Sequence, residues 1–313
     1  MAVEVVKQQS TYNRYRVVWD GRPMACLNLD SDDPRFDLPR PTLHPVYTPD
    51  GYPLTEHGAH NFPHQHGIWL SHGSVNRVDF YLDRSGCGRV EVRSVAIDPL
   101  DGGVELRLAN HWLDPSGRPL LAEDRSYWFR PLLVGAADRG VGGPRAHLIQ
   151  VSSTLRADFG RVTLAKTPHA FFGARVIDAI DEDDGGVLRN SLGGVGEAGT
   201  NEVAAGWVDC SGTIAGRRVG LTLMVHPSST AQPIRTRSYG SIMANPFARR
   251  GVTLKQGAEF TQTYGVLAHD GDADDIDVDS AFGSFAGRPA GPARLAVVPV
   301  SREAATPSRG SRR

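Results

Sequence analysis

Residues Gly88 to Phe129 read GRVEVRSVAIDPLDGGVELRLANHWLDPSGRPLLAEDRSYWF. Apolar and polar residues alternate over Val90–Ile97 and again over Val104–Trp112, and Leu120–Phe129 returns as a third strand. Asp101-Gly102-Gly103 and the stretch from Asp114 to Gly117 supply turn residues between them. Strict period-2 alternation puts every second side chain on one face, which is the pattern of a sheet buried on one side and wet on the other. Three such strands in succession predict an antiparallel meander.

The rest of the chain reads the same way. Its 35 glycines and 21 prolines are spread along 313 residues and cut the sequence into short segments that suit strands better than helices. Upstream, Tyr15–Trp19 and Met24–Leu29 flank Asp20-Gly21, the signature of a tight hairpin, and Ile68–Leu70 is a short strand. Downstream, a glycine-rich connection (Gly135 to Pro144) leads to strands at His147–Leu155, Arg161–Lys166 and Phe171–Ile177. An acidic turn follows at Asp181–Gly186, then a flexible glycine-rich loop at Gly193–Gly199 and a hairpin opened by Trp207–Gly212. Arg217–Val225 and Glu259–Leu267 are late core strands, and one short helix is expected near Val278–Phe285. Residues 288–313 are rich in Pro, Ala, Gly, Ser and Arg and read as a poorly ordered tail, with one added strand possible in composition at Arg294–Val300. These strands are too many for a seven-stranded sandwich. The expected class is all-β: residues 1–287 as one large antiparallel two-sheet sandwich, with two fused sandwiches as the alternative.

Composition removes several functions. A formal net charge of −1 with scattered basic residues gives no field for nucleic acid or an anionic membrane surface. No run of ~18 apolar residues is present to span a bilayer, and the N-terminus lacks the pattern of a secretory signal. Cys26, Cys87 and Cys210 are odd in number and far apart, as expected of reduced thiols in a cytoplasmic protein. Oligomeric state is left open.

Chemistry concentrates between Pro41 and Asp83, which holds six of the 11 histidines: His44, His57, His60, His64, His66 and His72. On a strand, the pair in His64-Gln65-His66 falls on one face, about 7 Å apart along the chain. With His72 as third ligand this could hold one divalent metal ion. Alternatively the imidazoles do acid/base and hydrogen-bond work beside Trp69, Tyr47 and Tyr52, since aromatic faces cover the apolar sides of a sugar ring. Glu123 and Arg125 share a strand face, either as a structural ion pair or as a carboxylate offered to substrate at the sheet's mouth. His169, Arg175, His226 and Asp209 lie at or near strand ends, where sandwich folds bind ligands. Neither a phosphate loop nor a GxSxG elbow occurs.

Several of these blocks resemble the bacterial PmoA-like family, labelled methane oxygenase. They are His44–Gly51, Pro63–Trp69 with His72-Gly73, Val75–Phe80, Phe172–Val176, Trp207–Asp209 with Ser211-Gly212, His226-Pro227, Tyr239, and Ala244–Phe247. In order, they cover roughly residues 15–268. The methane monooxygenase subunit of that name is an integral membrane protein, so the methane reading is set aside. Relatives of the family accompany sugar oxidoreductases and keto-glycoside-cleaving proteins, and the resemblance implies a β-sandwich like that of aldose epimerases, with carbohydrate work. One departure stands out: His66 occupies a position where relatives carry arginine.

The expected function is therefore cleavage or isomerisation of a glycoside or keto-sugar by histidine acid/base chemistry. His64, His169 and His226 are the catalytic candidates, and His44, Tyr47, Trp69, Glu123, Arg175 and Asp209 the substrate contacts. His64, His66 and His72 are the metal candidates. A metal-dependent oxygenase and a non-catalytic sugar-binding protein are the alternatives.

Overall fold

The alternation closes into two eight-stranded antiparallel sheets in the computed structural model, which describes residues 3–9, 13–30, 38–133, 145–169 and 171–291. Sheet I runs, in spatial order, β1 (Val3–Gln9), β2 (Asn13–Trp19), β3 (Arg22–Asp30), β4 (Thr42–Val46), β7 (Ile68–Leu70), β13 (Phe172–Arg175), β18 (Ser241–Ala244) and β17 (Ile234–Arg237). Sheet II runs β14 (Val187–Asn190), β15 (Trp207–Ile214), β16 (Arg217–Val225), β20 (Glu259–Asp270), β11 (Arg145–Arg156), β10 (Pro119–Leu133), β9 (Gly103–Leu113) and β8 (Arg89–Leu100). Two short ribbons complete the strands: β5 (His57–Ala59) with β6 (Phe62–His66), and β12 (Val162–Leu164) with β19 (Val252–Leu254).

The predicted meander is β8–β9–β10, paired in sequence. Its inward set, including Leu106, Leu108, Trp112, Leu121, Tyr127 and Phe129, packs against Leu43, Ile68, Leu70, Phe172, Ala174 and Ile242 from sheet I in one hydrophobic core. A core shared by both sheets makes this one sandwich. The Asp20-Gly21 hairpin is also present, with φ of 50° and 77° at those residues. That is the positive-φ pair a two-residue turn needs.

Some elements differ from expectation. Val3–Gln9 forms β1 on β2; only Val3-Glu4-Val5 alternates before Val6 breaks the pattern, too short a run to predict a strand. The strands expected at Arg161–Lys166 and Phe171–Ile177 shorten to β12 and β13. The glycine-rich loop at Gly193–Gly199 contains a short helix, α1 (Gly196–Thr200), held where the Glu197 amide donates to Glu182 Oε2 at 2.7 Å. Helix α2 (Val278–Ala286) forms as predicted, with Asp277 accepting from the Ser280 amide as N-cap at 2.8 Å. It buries Val278, Ala281 and Phe285 against Trp128, Leu148, Met224 and Leu267 on the outer face of sheet II. The tail does not begin loose at residue 288: Arg288 lies over the Trp128 ring at 3.3 Å, the Pro289 carbonyl accepts from Gln150 at 3.1 Å, and the Gly291 amide donates to Thr263 at 3.2 Å. The glycine-rich connection at 135–144 and the added strand at 294–300 fall outside the described residues. Among those described, no helix is long and apolar enough to cross a membrane.

Candidate active site

Strand register on sheet I decides where the site lies. Trp69 pairs with Gly173, Gly173 with Met243, and Met243 with Arg235, giving one continuous row across β7, β13, β18 and β17. Their chain neighbours Ile68, Leu70, Phe172, Ala174, Ile242 and Ala244 are core residues. The row must therefore face outward. Arg175, Ser241 and Arg237 form the next row on the same face. Over this floor arches the β5–β6 hairpin, which leaves the sheet at Gly67. That residue has φ +57°, and a Cβ there would meet His44 Cβ at 2.7 Å, so only glycine fits.

The result is a cavity of about 510 Å³. The hairpin contributes Phe62, His64 and Gln65, and the segment after β7 contributes Asp79, Tyr81 and Leu82. Thr167 and His169 enter from the loop before β13, with Arg235, Arg237 and Met243 from the last two strands of sheet I and Tyr239 from the turn between them. Trp69 is 1% exposed and lies beneath, packed on Tyr81 and Met243. It supports the floor and is not the sugar-facing platform expected of it; Phe62, Tyr81 and Tyr239 line the cavity instead.

Tyr81 organises the two imidazoles. Its ring stacks on His169 with centroids 5.4 Å apart and planes 2° apart, and meets His64 edge-on at 4.7 Å. The tyrosine is itself fixed, its amide donating to Asp79 Oδ1 at 2.7 Å and its carbonyl accepting from Arg40 at 2.6 Å. Burial lowers the His64 pKa, opposed by the charge of Asp83 and reinforced by Arg40. Burial lowers that of His169 too, with Arg235 adding to it and Asp79 opposing. Both rings are therefore biased toward the neutral, proton-accepting form. Burial raises the Tyr81 pKa and keeps its hydroxyl a proton donor.

The other candidates have different roles. His226 does not reach the cavity: its ring nitrogens bond Ser228 Oγ at 2.7 Å and the Arg288 carbonyl at 3.1 Å, and its edge meets Phe285. His72 is fully buried, with Nε2 on the Ala165 carbonyl at 2.9 Å and its ring on Phe247. His66 turns from the cavity into a column of rings, 4.3 Å from His57, which in turn lies 5.0 Å from His44. Asp83 holds His66 Nε2 and the Arg40 guanidinium. The three proposed metal ligands are thus dispersed. Among the described residues, the single set of three ligand atoms within 4.8 Å of one another is Asp178, Asp181 and Asp184.

His44 donates to or accepts from Thr55 Oγ1 at 3.1 Å behind the hairpin, and Tyr47 lies beside Cys26, Arg14 and Arg16 on the β2–β3 side. Neither lines the cavity. Arg175 is 4% exposed, donates to Glu56 at 2.9 Å and rests 5.0 Å over the Tyr239 ring. It positions that aromatic wall from behind. Glu123 and Asp209 are corrections of another kind, since both are fully buried in sheet II. Glu123 accepts from Arg125, Trp112, Asn110 and Ser153; Asp209 accepts from Thr222, Ser211 and His269. Carboxylates sealed inside the sandwich and held by three or more donors cannot reach a substrate in the cavity.

Sequence reading missed Phe62, Tyr81, Arg235 and Arg237. The signal for the arginines was Ile234-Arg235-Thr236-Arg237, alternating at strand period with both charges on one face. Tyr239 stood in the resemblance blocks without a role.

The close approach of Gly173 to Trp69 gives a direct test of the floor. A Cβ at 173 would fall 2.6 Å from Trp69 Cε2 and nearer still to Cζ2. Gly173→Ala is expected to destabilise by about 1–3 kcal/mol through overpacking and to weaken ligand binding as Trp69 is driven toward Tyr81. Unchanged melting would contradict this packing.

A family model described as a family of unknown function (DUF6807) matches residues 14–283. No curated protein matches the chain. Among solved structures, the chain is similar to a crystal structure of the alpha-galactosidase from Lactobacillus brevis, with 10% identity and a TM-score of 0.33. The similarity covers 86% of this chain and 39% of that one, so this chain spans well under half the length of the protein it matches.

Proposed function

The chain belongs to DUF6807, a family of unknown function, and from the cavity we propose a carbohydrate-active enzyme that cleaves or isomerises a glycoside or keto-sugar. The observation that carries this reading is the placement of His64 and His169 on one tyrosine, Tyr81, at the wall of an aromatic-lined cavity. No ring hydrogen bond engages either imidazole among the described residues, whereas those of His66, His72, His147, His226 and His269 are committed. Free imidazoles of lowered pKa suit general base work near neutral pH. Phe62 and Tyr239, stacked on each other at 4.6 Å, form with Tyr81 an aromatic wall that offers apolar ring edges to a sugar. The resemblance to PmoA-like proteins points the same way, and the free thiols of Cys26, Cys87 and Cys210 fit a reducing, cytoplasmic setting.

In the proposed reaction one imidazole takes the proton from the carbon beside a sugar ketone. The electron pair moves onto the carbonyl oxygen, where the Tyr81 hydroxyl, exchanging its long bond to Met243 Sδ at 3.9 Å, stabilises the charge. Return of that pair expels a glycosidic oxygen from the next carbon, and this oxygen takes back the proton that the first imidazole removed, leaving both rings neutral again. Reprotonation of the first carbon without expulsion gives isomerisation.

His64→Ala and His169→Ala are each expected to lower kcat/KM on a keto-glycoside by about 10²–10⁴-fold, with melting unchanged. Loss of deuterium uptake from D2O at the carbon beside the ketone should accompany this. Full turnover in both variants would rule the assignment out. Sugar binding without exchange or cleavage in the parent protein would instead favour a binding protein, a reading that the aromatic lining supports.

A further inference from the structure

We propose that the ligand of this cavity is an anionic sugar, whose carboxylate or phosphate is held by Arg235 and Arg237; this rests on the sugar reading above and specifies its substrate class. The two arginines stand two residues apart on β17, on the outward face and both at the cavity wall. Register puts Arg235 in the floor row with Met243 and Gly173, so its stem crosses the base of the site. Two guanidiniums at strand spacing, about 7 Å apart along the chain, form a fork suited to planar or tetrahedral oxyanions.

Each guanidinium has a carboxylate partner, Glu197 for Arg237 at 2.7 Å and Glu202 for Arg235 at 3.8 Å, but neither glutamate lines the cavity. Asp79, the lining carboxylate, has Oδ1 engaged by the amides of Tyr81 at 2.7 Å and Leu82 at 3.1 Å. Asp83 is taken by Arg40 and His66. Arg237 donates to Glu197 at 2.7 Å, but one guanidinium offers five N–H groups. Among the described residues, Arg235 meets the Pro168 carbonyl at 3.4 Å and Glu202 at 3.8 Å, both long contacts. Against one engaged carboxylate, two guanidiniums leave the lining net positive. A neutral sugar would leave those donors poorly matched, while an oxyanion satisfies them beside the low-polarity surface of Leu82 and Met243.

Calorimetric titration of the full chain tests this with three sets of sugars in gluco, galacto and manno configuration: the neutral sugars, their uronates and their 6-phosphates. Inorganic phosphate alone is the non-sugar control. At least one anionic member should bind about tenfold or more tightly than its neutral parent, and whether uronate or 6-phosphate wins identifies the group. High salt should weaken the anion and spare the neutral parent. Arg235→Gln should erase most of the preference, and Arg235→Lys should restore part of it, an outcome that separates recognition from misfolding. Neutral and anionic sugars binding equally, or a preference unchanged in Arg235→Gln, would overturn the oxyanion proposal and leave the sugar reading standing. Binding of phosphate alone, with no sugar of any charge, would overturn both.

Discussion

Glu123→Ala is expected to destabilise the fold by roughly 3–5 kcal/mol, the largest loss from any single substitution considered. Glu123 and Arg125 are both 0% exposed and joined at 2.7 Å, with a second contact from Arg125 Nη2 to Oε2 at 2.8 Å. Ser153 at 2.6 Å, Trp112 at 2.9 Å and Asn110 at 3.1 Å occupy the remaining acceptor positions. Truncating the carboxylate strands a guanidinium between the sheets without water or counter-charge, and the cost is that of an uncompensated buried ion. The Arg125 donor to Tyr127 at 3.1 Å cannot replace it. Glu123→Leu with Arg125→Met removes both charges and should recover most of the loss, because the pair's attraction largely offsets its own desolvation. Urea unfolding measures both. A loss below about 1 kcal/mol in Glu123→Ala would contradict the buried-pair account. Activity per folded molecule should not change, since this carboxylate points into the sandwich core and away from the cavity.

Stability is also expected to fall steeply as pH drops from about 6.5 toward 4. Burial depresses the pKa of His44, His72 and His147 to about 4 and that of His57 to about 3, from an ordinary value of 6.5. Neighbouring His66 adds to the effect at His44 and His57. Between pH 6.5 and 4 the unfolded chain therefore binds protons that the folded chain refuses. Acid favours unfolding, and the stability these rings contribute is complete only above pH 6.5. A ring such as His147 accounts for on the order of 3 kcal/mol across that window; His44 and His57 are in contact, so their shares do not simply add. Asp181, raised to about 6 by burial, and Asp270, also raised by burial, act in the opposite sense, because the folded state holds their protons more tightly. Four histidines outweigh them. His147→Gln, which can keep the donor to the Tyr47 carbonyl, should flatten the slope of unfolding free energy against pH over this range. Stability independent of pH between 4 and 7 would be incompatible with neutral histidines at these positions.

How far each feature could be read in advance follows from how local its cause is. The meander was legible because Val104, Leu106 and Leu108 alternate with polar neighbours, and alternation is a property of the strand alone. The Asp20-Gly21 turn and the Asp277 cap are equally local. His64 was found because His-x-His on a strand is conspicuous, and its partner His169 because it ends an apolar segment. Their meeting through Tyr81 was not legible: His64 and His169 come from a hairpin and a loop far apart in the chain, and only the tertiary fold brings both to one ring. Glu123 was legible in part: its ion pair with Arg125 is present, while its role as a substrate contact failed for a related reason. Period 2 put it on a face with Arg125, but two faces of a strand are indistinguishable until a second sheet covers one of them.

By itself, then, the sequence determined the strands, their turns, the all-β class and the stretch where histidines gather, since each depends on contacts between near neighbours. Tertiary structure decided which of those histidines face a cavity and which are sealed into the protein. It also decided that Arg235 shares a floor with Trp69, because cross-strand register joins residues that no local pattern connects.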